Sequence, residues 1–124
     1  MADVTQAQLM DRVAQKLGIL AATDTLSAED GEVIRVALKS VAMQLAKLEI
    51  ASFYIESGLA YEYADAFADL TAAELADVFE VPEPRRSILS ANRLGMPGRS
   101  PAERRMRSYF PSEKLQSVVD FVVQ

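Results

Sequence analysis

The chain has 124 residues, half of them hydrophobic, a formal net charge of -5, and neither cysteine nor histidine. This length suits a single domain, and the missing residue types exclude disulfides, thiolate zinc sites, Cys or Ser/His nucleophile pairs and imidazole proton shuttles. No apolar run approaches the roughly 18 residues of a membrane span. The start, Met1-Ala-Asp-Val, lacks the basic stretch and apolar run of a signal peptide, so none is expected. We therefore expect a protein made in the cytoplasm that is not an enzyme, has no catalytic residues and holds no cofactor or metal.

Two helices are predicted in the first 48 residues. Thr5 and Gln8 form a capping box, and apolar residues at helical spacing indicate a helix over 6–17 that Gly18 ends. Ser27 is a second N-cap, and the helix after it keeps one apolar face for about five turns. That face comprises Val33, Ile34, Ala37, Leu38, Val41, Leu45 and Leu48. We expect this long helix to be the central one of the fold.

The middle of the chain changes character twice. Phe53, Tyr54 and Ile55 precede Gly58, and this β-branched and aromatic composition predicts a short extended segment near 51–60 or a small hairpin. A helical stripe then resumes at Tyr63 and predicts a third helix over 63–80, which ends before Pro82.

Shorter elements are predicted beyond Pro84. Residues 85–94 favour a short helix, residues 95–98 a turn, and Ser100 with Pro101 a capped basic helix over about 101–109. The tail after Pro111 fits either an amphipathic helix or a strand, and both leave apolar surface that requires a partner. The predicted fold class is all-α: a small helical bundle in a single domain over 1–124, with a core over about 5–82 and a basic arm and C-terminal tail over 83–124.

Charge is strongly segregated along the chain. Nine carboxylates and no Lys or Arg lie between Leu48 and Pro84, whereas the stretch from Arg85 to Lys114 is rich in arginine. Such separation favours head-to-tail contact between copies of the chain. The arginines Arg104, Arg105 and Arg107 also stand next to Tyr109 and Phe110, where guanidinium groups bind carboxylates or phosphates while stacking on aromatic faces.

Three readings of these charged residues stay open. Glu62, Asp65 and Asp69 share one helix face, which is compatible with a hard cation such as Mg²⁺, although a solvated face is the more common use of such a row. The arginines fit a protein partner with acidic groups. They also fit a small helical nucleic-acid-binding regulatory protein, although the net charge of the chain is negative.

The order of elements resembles that of the head-to-tail adaptors of short-tailed bacteriophages, also called tail accessory or packaged-DNA stabilisation proteins. The resemblance covers about residues 6–111 and includes Val13-Ala-Gln-Lys-Leu-Gly18, Ala76-Asp-Val-Phe79 and the closing Tyr109-Phe110-Pro111. It implies a helical subunit of a dodecameric ring at the head–tail junction of the virion. The implied partners are further copies of the chain, the portal protein, a tail or nozzle protein, and packaged DNA passing through the channel without sequence specificity.

The resemblance and the charge pattern together assign roles to three groups of residues. The expected subunit or portal interface comprises Arg85, Arg86, Arg93, Arg99, Arg104, Arg105, Arg107, Tyr109 and Phe110. The expected tail contact comprises Leu115, Val118, Val119, Phe121 and Val122. The acidic face of Glu62, Asp65 and Asp69 is expected to line the channel or to meet a basic neighbour.

Overall fold

The computed structural model describes residues 3–21 and 23–110, and over these residues the chain is all-α, without strands. Within these ranges five α-helices follow one another, with a single 3₁₀ turn at Ile55–Ser57 between the second and the third. The helices are α1 (Gln6–Leu17), α2 (Ala28–Lys47), α3 (Tyr61–Leu75), α4 (Arg85–Ser90) and α5 (Pro101–Tyr109).

The predicted ends of α1 and the predicted start of α2 are confirmed. The Thr5 hydroxyl accepts from the Gln8 N–H at 3.2 Å while the Gln8 side chain accepts from the Thr5 N–H at 2.9 Å, so the capping box is complete. Gly18 ends α1 at φ 79°, in the left-handed region. Ser27 caps α2 by accepting from the Asp30 N–H at 3.2 Å.

The segment between α2 and α3 does not form a hairpin. Backbone near Tyr54 is extended, but the chain then turns through Ile55–Ser57, and the only β pairing of the described residues joins Val4 to Leu59. Both N–H···O bonds of that bridge are short, at 2.7 and 2.8 Å. Burial of Ile55 and Leu59 fixes the segment to the rest of the protein, so aromatic and β-branched content here serves packing and not a sheet.

Helix α3 is shifted from the predicted span of 63–80. It begins at Tyr61 and ends at Leu75, and a turn then brings the Val81 N–H to the Ala76 carbonyl at 3.0 Å. Glu80 adopts φ 50° within that turn, which closes the helix several residues before Pro82.

The most buried helix is not the longest. Helix α2 has 20 residues, but α3 is the helix that contacts α1, α2, α4 and α5. Small residues permit this, because α3 is buried on nearly all sides through Ala64, Ala66, Phe67, Ala68, Leu70, Thr71, Ala72, Ala73 and Leu75. One long central helix was expected. In the structure the longest described helix is α2, whereas the central helix is α3.

The core extends past the expected boundary at residue 82. Ser100 caps α5 by accepting from the Glu103 N–H at 3.2 Å, and Pro101 occupies the first turn as predicted. Ala102 and Met106 of α5 are fully buried in the same hydrophobic cluster as α1, α2 and α3. Residues 85–110 are thus packed into the bundle rather than extended from it.

Candidate assembly surface

Four charged side chains meet where α1, α3 and α5 pack together. Asp65 and Asp69 lie one turn apart on α3, and the Lys16 ammonium is 3.0 Å from an oxygen of the first and 2.9 Å from an oxygen of the second. Arg105 of α5 reaches the same two carboxylates, with 3.5 Å to Asp65 and a direct contact to Asp69. We name Lys16, Asp65, Asp69 and Arg105 the three-helix ion cluster. It connects helices that are distant in sequence.

The pKa values of three members shift in the direction that keeps the cluster charged. Burial lowers the pKa of Lys16, but the hydrogen bonds and charges of Asp69 and Asp65 outweigh this and raise it. Burial raises the pKa of Asp65, but Lys16 and Arg105 outweigh it and hold that pKa below its usual value. Burial lowers the pKa of Arg105, but the hydrogen bonds and charges of Asp69 and Asp65 outweigh this and raise it.

The cluster changes the interpretation of the acidic face. Asp65 and Asp69 are occupied by cations of the same chain, so they are not a free carboxylate row for a channel or a neighbour. Glu62 is the exposed member of the three predicted residues. In residues 3–21 and 23–110, no group of three or more His, Cys, Asp or Glu side chains is arranged to hold a metal ion.

A second internal ion cluster surrounds Glu103. This carboxylate is nearly fully buried and accepts from Arg107 Nε at 2.9 Å and from the Gly95 backbone N–H at 3.1 Å. Arg99 Nε lies 3.9 Å from the same carboxylate. Glu103 thereby attaches the turn at 95–98 to α5, since a buried carboxylate requires such partners.

Asp77, just beyond α3, binds two further arginines. Arg93 is 3.2 Å from one carboxylate oxygen and Arg86 is 3.9 Å from the other. Arg86 also donates from Nε to the Val81 carbonyl at 2.7 Å. These contacts join α4 and the segment after it to the end of α3.

Two of the predicted interface arginines, Arg85 and Arg104, have no carboxylate partner among the described residues. Arg85 lies across the C-terminus of α1, where a Cβ added to Gly18 would overlap its guanidinium. A cation is favourable there because the helix dipole is negative at that end. Arg104 is exposed on the side of α5 opposite the buried Met106, so its guanidinium is presented to solvent.

The aromatic residues at the end of α5 pack against Tyr63 and Phe53. The rings of Tyr63 and Phe110 are 4.7 Å apart and nearly edge to face, and those of Tyr63 and Tyr109 are 6.5 Å apart. Phe110 is partly buried against the core, whereas Tyr109 is exposed. Of the two aromatic residues expected at an interface, Tyr109 is the one presented to solvent.

The expected tail contact of Leu115, Val118, Val119, Phe121 and Val122 lies outside the described residues, as does the question of whether this tail is helix or strand. The sequence interpretation also missed three residues that organise the surface: Lys16, Asp77 and Glu103. Lys16 lies at the predicted end of α1, Asp77 lies in the apolar stripe predicted as the third helix, and Glu103 lies in the first turn after the predicted cap Ser100. The ion pairs of Lys16 and Asp77 depend on tertiary contacts, so no local spacing rule predicts them. Glu103 and Arg107 stand four residues apart in α5, a spacing that does indicate an ion pair.

The chain matches no family model, no curated protein and no solved structure. No helix within the described ranges is both long and apolar enough to cross a membrane.

Proposed function

We propose that this chain is a structural virion protein: a head-to-tail adaptor that assembles as a ring under the portal, extends the DNA channel, helps retain packaged DNA and connects to the tail. The all-α fold supports the proposal. The observation that carries it concerns the seven arginines between 85 and 107: five lie against carboxylates of their own chain, and two have no carboxylate partner within residues 3–21 and 23–110.

Arg104 is the residue best placed for a contact between subunits. Its helix is held in a fixed orientation by Arg105 in the three-helix ion cluster and by the buried Glu103. A cation on such a rigid helix loses little conformational freedom when it meets an acidic neighbour. Arg85 is the second such cation, and exposed carboxylates such as Glu62 provide the opposite charge on the surface of the next copy.

The remaining parts of the proposal concern the finer architecture. The long helix α2 forms one side of the subunit, and the C-terminal arm contacts the tail or nozzle protein through Leu115, Val118, Val119, Phe121 and Val122. DNA passes through the ring without base-specific contacts, guided by acidic surface that repels phosphate.

The five internally paired arginines weaken the alternative of a nucleic-acid-binding regulatory protein. Each of them lies within 4 Å of a carboxylate of the described residues, although Asp77 and Glu103 are each shared by two arginines. These contacts reduce the positive charge available to phosphate, and the chain as a whole is acidic. Duplex DNA binding that is measurable at low salt and falls steeply as salt is added would favour this alternative instead.

Native mass spectrometry of the full chain with the portal protein of the same virion tests the ring. We expect the wild-type chain to form a ring bound to the portal protein when the two proteins are combined. Neither protein should form this assembly on its own. Arg104→Glu should abolish the ring without lowering the melting temperature, because Arg104 is exposed and forms no ion pair with the described residues. A wild-type chain that never binds portal contradicts the proposal.

The adjacent Arg105 provides the matched control. Arg105→Gln removes a cation of the same helix but acts on the three-helix ion cluster, so it should lower the melting temperature of the free subunit. At a temperature where the variant is folded it should still join the ring. If Arg104→Glu assembles normally, the interface does not use Arg104.

A further inference from the structure

The outward side of α2 carries apolar residues that no described part of the chain covers. Val36 and Met43 are 53% and 65% exposed, and they lie on the side opposite the buried Ile34, Leu38 and Leu45. Seven residues separate them, so they are aligned along the helix, two turns apart. Apolar side chains aligned on one side of a helix provide a surface that another molecule can cover.

Charge along the same side is divided by sign. Glu29 and Glu32 are exposed in the N-terminal half of α2, and Lys47 is exposed in its last turn. Glu32 is bound by Arg35 of its own subunit, with Arg35 Nε at 2.9 Å, so Glu29 is the carboxylate on this side that is left for a partner's cation among the described residues. Residues Glu29, Glu32, Val36, Met43 and Lys47 form what we call the α2 outer face.

The α2 outer face is complementary to itself in the antiparallel direction. The midpoint between Val36 and Met43 falls between residues 39 and 40, and so does the midpoint between Glu32 and Lys47. A second copy related by a two-fold axis at that point therefore places its Met43 on Val36 and its Lys47 within about one turn of both Glu29 and Glu32. We propose that the α2 outer face binds the same face of a second copy of this chain as an antiparallel, two-fold symmetric pair.

The residues beside the proposed axis are compatible with close approach. Ser40 is small and exposed, so the two helices can meet there. Lys39 also lies near the axis, where it faces its own copy in the partner, and its charge is offset by Glu56 at 3.9 Å in the same subunit.

The size of the α2 outer face sets the strength of the pair. A 20-residue helix is about 30 Å long and about 10 Å wide, so its face is roughly 300 Å², well below the roughly 800 Å² per partner of a stable complex. The pair is therefore weak and forms with increasing protein concentration.

This pairing goes beyond the proposed function and does not rest on it. A single ring has one rotation axis and points every α2 in the same sense, so it contains no antiparallel two-fold pair. The pair is a state of the free chain before it joins a ring. Loss of portal binding would leave it intact, and loss of the pair would leave portal binding intact.

Cysteine cross-linking tests the register, and the natural chain contains no cysteine to interfere. Under mild oxidation, a mixture of the full-length Val36→Cys and Met43→Cys variants should form a disulfide-linked heterodimer. Neither variant alone should cross-link efficiently, because its two cysteines would be offset by about 10 Å along the helix, beyond disulfide reach. Efficient cross-linking of either single variant with itself, or none in the mixture, overturns the proposal.

Sedimentation equilibrium tests the affinity. Wild-type protein should show a monomer–dimer equilibrium between about 10 μM and 1 mM, and Met43→Glu should raise the dissociation constant at least about tenfold. Val78→Glu is the matched control, because Val78 is 63% exposed and is not part of α2, so its substitution should leave the equilibrium unchanged. A wild type that is monomeric throughout, or equal weakening by both variants, overturns the proposal.

Discussion

Helix length and burial often occur together, but in this protein α2 is the longer helix and α3 the more buried one. Helix α2 is the longest described helix but buries only five of its 20 residues, whereas α3 is shorter and buries nine of 15. The difference follows from composition: α3 presents alanines to its neighbours, and helix axes approach closely where side chains are small. In this protein the longest described helix therefore lies at the surface, and the helix with a run of small residues lies at the centre.

The charges follow the same division. Around α3, carboxylates and arginines meet inside the subunit, in the three-helix ion cluster and around Asp77 and Glu103. On α2, the charged residues at the two ends face outward. The opposite charges that are segregated along the sequence therefore form ion pairs within one subunit, where the basic segment packs on the acidic helix.

The largest effect is expected from truncating the centre of α3. Phe67 is fully buried and its ring packs 5.0 Å from that of Phe53, so Phe67→Ala should lower the free energy of unfolding by about 3–5 kcal/mol. Urea unfolding monitored by circular dichroism measures this. Tyr54→Ala is the aromatic control, since Tyr54 is 80% exposed and its loss should cost less than about 0.5 kcal/mol.

The next effect compares one chemical change on two helices. Met106→Ala removes a fully buried side chain of α5 and should cost about 2–5 kcal/mol, whereas Met43→Ala on α2 should cost less than about 0.5 kcal/mol at low protein concentration. The same unfolding titration reports both. Equal small effects would mean that α5 is a loosely attached arm and that the core ends near residue 82.

A smaller effect is expected in the three-helix ion cluster. Asp69→Asn weakens the contacts to Lys16 and Arg105 and should cost about 1–3 kcal/mol, because the carboxylate is largely buried there. In a double-mutant cycle, Arg105→Gln should cost less in the Asp69→Asn background than in the wild type. Glu62→Gln, one helix turn or more away and exposed, should change stability by less than about 0.5 kcal/mol. Additive effects of the two cluster substitutions would contradict the pairing.

The sequence was sufficient for elements that local chemistry defines. The capping box at Thr5, the glycine stop at Gly18 and the Ser100-Pro101 start of α5 were all predicted from neighbouring residues, and the structure confirms them. Local hydrogen bonds determine these features, so a single sequence carries the information.

Features that depend on tertiary packing were not predictable in this way. Of the two alternatives near Gly58, an extended segment or a small hairpin, the hairpin is absent because burial of Ile55 and Leu59 decides that segment. The central position of α3 depends on helices far from it in sequence. The same applies to the arginines. Spacing alone marked Arg104 and Arg105 as equivalent, and only the packing of α5 on α3 separates an outward cation from an internal one.

The smallest effect is in the pH dependence of Asp65. Its pKa is lower in the folded protein than in the unfolded chain, so its contribution to stability is present above about pH 4 and is lost as the pH falls through the folded pKa. Lys16 has the opposite sign: its raised pKa gives a contribution that is present below about pH 10 and lost as the pH rises through the folded pKa.

Asp65→Asn should therefore destabilise the protein by less than about 1 kcal/mol at pH 7, since this carboxylate is half exposed and partly screened. The difference from wild type should shrink as the pH falls below about 4 and through the lowered pKa of folded Asp65, because the protonated carboxyl no longer forms the ion pairs. Urea midpoints of both proteins between pH 2.5 and 7 measure this convergence. A difference between Asp65→Asn and wild type that persists unchanged to pH 2.5 would show that Asp65 acts through packing and not through its charge, and the three-helix ion cluster would then rest on Asp69 alone.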